Sequence, residues 1–230
     1  MTATKDLRAI ADAAAEQLAD ATAAEVLAWT ASTFGNSWIV ASNMQDAVLI
    51  DLAVAAKPNV DVLFLETGYH FAETIGTRDA VATVYPEISI VNAAAEQSVA
   101  DQEAEFGLLN KTAPDRCCHL RKVVPLQKTL ARYDAWVTGV RRVDAPTRAN
   151  TPIVTWDERN GLVKVNPIAA WSDDEFDTYL TEHGVLQNPL VADGYPSIGC
   201  APCTAKPLPG TDPRSGRWAG LSKTECGLHG

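Results

Sequence analysis

The sequence predicts an α/β fold: a parallel twisted sheet flanked by helices, followed by an irregular C-terminal tail. Three observations carry that expectation. Short, continuous apolar runs recur between stretches of helical spacing, the pattern of βαβ units whose strands are buried on both faces. The chain has 230 residues, 47% apolar and 21% charged, which suits one α/β core and excludes a disordered or collagen-like chain. From Gln187 to Gly230 the periodicity stops and prolines accumulate (Pro189, Pro196, Pro202, Pro207, Pro209, Pro213). Residues 1–186 therefore read as a single α/β domain with N-terminal helices, and 187–230 as an irregular C-terminal segment that something must tie down.

Taken in order, Leu7, Ile10, Ala14 and Leu18 lie at helical spacing within 5–20, and the pattern repeats from Ala23 to Phe34 before Gly35 stops it. Ser37 to Ala41 is a first strand. A polar turn at Ser42–Gln45 leads into an apolar helix from Asp46 to Ala56. Val60 to Leu65 is a second strand, followed by the turn Glu66-Thr67-Gly68 and a helix from Phe71 to Val84. Ile88 to Val91 is a third strand, and Ala135 to Val140 a fourth, after a helix around Arg121 to Tyr133. Thr151–Thr155 and Leu162–Val165 flank Asn160-Gly161, a hairpin signal. Ser172 with Glu175 three residues on is a capping box, and Gly184 a fitting helix stop.

Composition narrows the function. The net charge of −10 argues against nucleic acid as the main partner. The charge is unevenly spread: residues 1–110 sum to −12 and residues 111–230 to +2, so the cations sit in the half that also holds all five cysteines. Local charge sets the field in a cleft, and anions are expected to bind in this second half. The longest apolar run, Ala47–Ala56, is interrupted by Asp51 and is far shorter than the ~20 residues of a membrane span. The first twenty residues lack the apolar core of a signal peptide, so a soluble, cytoplasmic protein without a membrane partner is expected.

Ligands of an open parallel sheet bind at the carboxyl ends of its strands. Ser42–Asp46 opens a helix whose N–H groups suit an anion, although it has no Walker pattern. Leu65-Glu66-Thr67-Gly68 is another strand-end turn. Thr138-Gly139-Val140-Arg141-Arg142, with Arg148 nearby, places cations just past a strand end, facing either an anion or Asp144. The cysteines are the sharpest signal. Cys117 and Cys118 are adjacent, Cys200 and Cys203 form a C-x-x-C, and Cys226 stands apart. Without a secretory signal, metal or redox chemistry is the better reading than a disulfide framework. Successive side chains diverge, so a vicinal pair favours the wider face of an iron–sulfur cubane over a zinc knuckle, with zinc and a redox dithiol as alternatives. Cys226 lies in a segment that can swing, and His229, Lys223, Arg214 or Arg217 brought near would favour its thiolate.

Five segments together resemble the assimilatory adenylylsulfate (adenosine 5′-phosphosulfate, APS) reductases, the iron–sulfur branch of the family that includes the phosphoadenylylsulfate (PAPS) reductases. They are Cys117-Cys118-His-Leu-Arg-Lys-Val-Val-Pro-Leu126, Cys200-Ala-Pro-Cys203, Thr138-Gly-Val-Arg-Arg142, Pro146-Thr-Arg148 and Glu225-Cys-Gly-Leu-His229. The resemblance runs from Asn36 to Gly230 and implies a Rossmann-like, adenine-nucleotide α-hydrolase-type fold with residues 1–186 as its nucleotide-binding domain. It implies one [4Fe–4S] cluster on Cys117, Cys118, Cys200 and Cys203, and APS rather than PAPS as substrate. The terminal Cys226 thiolate would attack the sulfur of APS, AMP would depart, and thioredoxin would release sulfite from the S-sulfonate.

By the same resemblance, Lys122, Arg214 and Arg217 face the substrate, with Arg141, Arg142 and Arg148 as further phosphosulfate contacts and His229 as a companion of Cys226. Ser42 and Asp46 match the phosphate loop, while Asn43-Met44-Gln45 depart from the Phe/Gly/Ser-rich turn common there. Thr67 and Gly68 fall in the adenosine-contacting segment and Gly139 in the arginine-bearing one. The pattern leaves oligomeric state open. A PAPS-preferring reductase and a zinc-stabilised nucleotide-binding module without catalysis are the competing readings.

Overall fold

Two helices, α1 (Leu7–Gln17) and α2 (Ala23–Phe34), precede the sheet in a computed structural model that describes residues 6–220, 223 and 225–228. Helix α2 has the bounds the sequence predicts, because Thr22 and Glu25 form a reciprocal capping box and Gly35 takes φ +57° at its end. Strand β1 (Trp38–Ala41) leads to α3 (Val48–Ala56), β2 (Asp61–Glu66), α4 (Ala72–Val84) and β3 (Ser89–Ala94). Helices α5 (Val99–Phe106), α6 (Leu109–Thr112) and α7 (Pro114–Cys118) follow, and α5 and α6 are additions to the sequence reading. Ser98 caps α5 through the Asp101 N–H, and Gly107 at φ +69° stops it.

The helix expected around 121–133 is not regular. A π turn (His119–Val123) joins α7 to α8 (Val124–Leu130). Pro125 lacks an N–H and its ring would crowd the Arg121 carbonyl four residues back, so the widened turn relieves that conflict. It also buries Arg121 beside one small cavity, while Lys122 lines both that cavity and a larger one.

Strand β4 (Ala135–Thr138) ends two residues earlier than expected, and two 3₁₀ turns (Arg142–Asp144 and Pro146–Arg148) follow. The hairpin strands are β5 (Val154–Asp157) and β6 (Leu162–Val165), with a four-residue connection ending in Gly161 at φ +68°. Thr151, expected in the strand, instead closes the preceding turn by donating to the Arg148 carbonyl at 2.8 Å. Helix α9 (Asp173–Glu182) carries the Ser172–Glu175 capping box, and Gly184 sits at φ +58° beyond it. The tail holds only α10 (Pro189–Ala192) and a 3₁₀ turn at Ala201–Cys203 among the described residues.

The strand order is β3–β2–β1–β4–β6–β5, parallel except for β5 against β6. The chain runs outward from β1 to β3, then returns to place β4 on the other side of β1. That reversal is a topological switch point, the usual place for a ligand crevice. The period of two sorts side chains between faces: Trp38, Val40, Val62, Phe64, Ala135 and Val137 pack with α1, α2 and α3. Ile39, Leu63, Trp136 and Leu162 pack with Leu126 and Leu130 of α8. No helix is long and apolar enough to cross a membrane among the described residues.

Candidate active site

A cleft of about 720 Å³ opens at the carboxyl ends of β1, β2 and β4. Its lining brings together Ser42 and Asp46 after β1, Thr67 after β2, and Gly139, Arg141 and Arg148 after β4. It adds Lys122 from the π turn, and Arg214, Arg217 and Cys226 from the tail. Two sequence-selected residues are absent from that lining. Arg142 turns away, donating from Nε to the Thr151 carbonyl at 2.9 Å. Gly68 sits at φ +74°, where a Cβ would collide with Val99, so it makes room for packing on α5 and not for a ligand. His229 lies outside the described residues.

The loop after β1 explains its departure from the family pattern. Gln45 accepts the Ile198 N–H at 2.9 Å and donates to the Pro196 carbonyl at 3.1 Å. The buried Asn188 amide donates to the Met44 carbonyl at 3.1 Å. Asn43-Met44-Gln45 thus staples the tail to the sheet. The Asp46 carboxylate accepts the Val48 N–H at 3.1 Å and so occupies the helix start that the sequence offered to an anion. Desolvation raises the Asp46 pKa to about 6, above the pull of Val48 and Arg141. The carboxylate is therefore disfavoured in the folded chain, and stability contributed at this site falls as pH rises from about 4 to about 6. Asp46→Asn is expected to remove that fall: relative to the parent it should gain about 1–2 kcal/mol between pH 4 and pH 7, after allowance for solvent screening at the cleft mouth. Chemical denaturation of both proteins at the two pH values measures the difference.

The cations are ordered by carboxylates as well as by the cleft. Asp144 takes Arg141 at 2.9 Å and Arg148 at 3.4 Å, so both outcomes open to the sequence, a carboxylate partner and a cleft position, hold at once. Arg141 also reaches Asp173 at 3.0 Å. Arg217 donates to Ser197 and the Ile198 carbonyl, both at 3.2 Å, and a Cβ on Gly199 would collide with its guanidinium. Burial lowers the Arg217 pKa, and Arg214 lowers it further against the pull of three cysteines. In Lys122, burial acts in the same direction, but Cys200, Cys226 and Cys118 outweigh it and leave the ammonium above its ordinary range. A charged lysine thus faces the one thiol that lines the cleft from the end of the tail.

The other four cysteines line one small pocket behind the cleft, with Thr67, Arg121, Lys122 and Trp218 on its walls. Cys200 lies 3.4 Å from the Thr67 hydroxyl, and the Ala201 N–H donates to the Tyr69 carbonyl at 2.7 Å, which fixes the C-x-x-C turn against the β2 loop. Burial, followed by Cys118, Cys200 and Cys203, pushes the Cys117 thiol up to about 11. Among the described residues no three His, Cys, Asp or Glu stand close enough to hold a single metal ion. Two features of the pocket suit a negative guest. Arg121 is buried, and its hydrogen-bond acceptors among the described residues are neutral: the Thr67 and Gln97 carbonyls and the Gln102 amide oxygen. The buried Trp218 indole N–H has no acceptor among the described residues. A buried cation without a counter-charge costs several kcal/mol, so the donor set and its surroundings fit an anionic thiolate-ligated group.

Sequence reasoning missed Arg121, Trp218, Glu225 and His70 as parts of these sites. His70 lines the cleft with Nε2 at 2.9 Å from the Leu65 carbonyl, and burial above all lowers its pKa. Arg121 and Glu225 stand inside the quoted motifs beside more conspicuous residues, and nothing local marks them.

Comparison with known proteins accords with this geometry. Residues 36–206 match the phosphoadenosine phosphosulfate reductase domain. The chain belongs to this family. It is 64% identical to the adenosine 5′-phosphosulfate reductase of Mycobacteroides abscessus over 232 residues, covering 99% of this chain and 98% of that protein. The crystal structure of the PAPS reductase from Candida auris, a phosphate complex, superposes with a TM-score of 0.71 at 27% identity, over 86% of this chain and 97% of that one. Candida glabrata FMN adenylyltransferase, with a TM-score of 0.58 at 13% identity over 90% of this chain and 69% of that one, shares the fold alone. The reductase-domain match ends at Lys206, so the cleft residues Arg214, Arg217 and Cys226 lie beyond it, while the relative in Mycobacteroides abscessus spans them.

Proposed function

We propose that this chain reduces adenosine 5′-phosphosulfate to sulfite and AMP in sulfate assimilation, in the cytoplasm, with Cys226 as nucleophile and thioredoxin as reductant. One observation carries the reading: Cys226 lines the same cleft as Lys122, Arg141 and Arg217, at the switch point of a nucleotide-type sheet. The Cys226 thiolate attacks the sulfonyl sulfur, the bond from sulfur to the bridging oxygen breaks, and AMP leaves with the electron pair. A thioredoxin thiolate then attacks the Cys226 sulfur and expels sulfite, and its second thiol resolves the mixed disulfide. The dithiol supplies both electrons. A thiolate approaching an anionic sulfonyl group at 4 Å is repelled by about 4 kcal/mol at an effective dielectric of 20, and Lys122 and Arg217 offset that repulsion. Residues 1–186 bind the nucleotide, and 187–230 carry the nucleophile.

Cys117, Cys118, Cys200 and Cys203 would hold a [4Fe–4S] cluster, which would supply a fixed negative charge beside Lys122 and tie the 200–203 turn to α7. The buried Arg121 guanidinium, with only neutral acceptors among the described residues, and the thiol-rich lining support that assignment. Anaerobic purification is expected to give brown protein with iron and sulfide in equal amounts and sulfite formation from APS with reduced thioredoxin. One zinc without sulfide, and no turnover, would favour the nucleotide-binding module instead. A higher kcat/KM for PAPS than for APS would reassign the substrate.

A further inference from the structure

We infer that Glu225 is a positioning residue: its carboxylate docks the tail into the cleft by gripping Arg148 and Arg214, and so sets the place of the adjoining Cys226. The inference rests on Cys226 being the nucleophile, as proposed above. Glu225 receives Arg148 Nε and Nη2, both at 3.0 Å, in a two-pronged pair, and Arg214 Nη2 at 3.2 Å. The Thr147 hydroxyl adds a fourth donor at 3.4 Å. These donors come from the turn after β4 and from the tail itself, so the carboxylate closes a ring between sheet and tail.

The other polar attachments of this segment among the described residues are single-pronged. Lys223, itself 10% exposed, pairs with an Asp115 that is 86% exposed, and Arg159 donates to the Gly227 carbonyl. A single-pronged pair to a solvated carboxylate leaves the direction of the segment open. Leu228 packs against the α8 face of the sheet, which limits how far the segment slides but does not orient it. In the Glu225 pairs both sides are sheltered, with Glu225 28% exposed, Arg148 14% and Arg214 18%, and the two-pronged geometry fixes direction as well as distance. One peptide unit, about 3.8 Å between Cα atoms, separates Glu225 from Cys226, so little of that order is lost before the sulfur. The consequence is a division of labour. Arg148 and Arg214 serve first as the receptor for the tail, and Arg141 is held by Asp144 and Asp173, which leaves Lys122 and Arg217 as the cations most open to the phosphosulfate.

Glu225→Gln keeps the shape and removes the charge. Site-resolved alkylation of Cys226 in the ligand-free protein is expected to accelerate about tenfold as the tail opens, at unchanged Tm. Single-turnover S-sulfonation should slow tenfold or more, while AMP affinity, measured in a Cys226→Ser background, stays within threefold. Unchanged alkylation would overturn the inference. So would a tenfold gain in AMP affinity, because Glu225 would then be a competitor for the anion site and not an anchor. Failure of the parent protein to form any S-sulfonate would instead refute the proposed function and leave the alkylation comparison standing.

Discussion

Cys226→Ser is expected to lower sulfite formation from APS by at least about a thousandfold, with the fold, the nucleotide affinity and the iron content retained. A serine hydroxyl ionises too weakly to attack a sulfonyl sulfur. The four pocket cysteines cannot substitute. Cys117, Cys118 and Cys200 are buried, and burial raises the pKa of Cys117, Cys118 and Cys203. Sulfite assays on the variant, beside its iron analysis and Tm, separate loss of the nucleophile from loss of structure. Residual turnover near the parent rate would move the chemistry to another residue.

Lys122→Met is expected to lower kcat/KM for APS by about 10²–10³, the usual cost of one preorganised charge in a site of this kind. The side chain is held at the junction of the two pockets by the π turn, facing Cys118, Cys200 and Cys226, and its ammonium stays charged there. The loss should fall on the sulfonyl transfer and not on the nucleoside. AMP affinity is therefore expected to move by less than threefold. Lys122→Arg should recover little, because a planar fork does not fit the space of a compact ammonium. Equal losses for AMP binding and turnover would place Lys122 against the nucleotide phosphate instead.

The sequence expressed the sheet well because its central strands β1, β2 and β4 are buried on both faces and announce themselves as apolar runs. Glycine and the capping boxes set the ends of α2 and α9, where local chemistry decides. The two cysteine pairs stood out as one candidate site, and in the structure all four line one small pocket. What the sequence did not express depends on contacts between distant segments. Helix α5 is short and mostly polar, and its role appears only once Gln102 meets Arg121 across 19 positions. The π turn comes from Pro125, read from the sequence as part of an unbroken helix. Arg142 and Arg148 look equivalent in the chain, but Thr151 captures one and Glu225 the other. The loop at Asn43–Gln45 looked like an imperfect anion cradle and is a clasp for a tail that begins more than a hundred residues later.

Incubation of the purified, reduced protein with APS in the absence of thioredoxin, followed by peptide mass spectrometry, tests the chemistry most directly. The expected result is a gain of one SO₃ group on Cys226, formed in step with AMP and discharged as sulfite when reduced thioredoxin is added. AMP release with Cys226 unmodified, or the SO₃ group on any other cysteine, would contradict it.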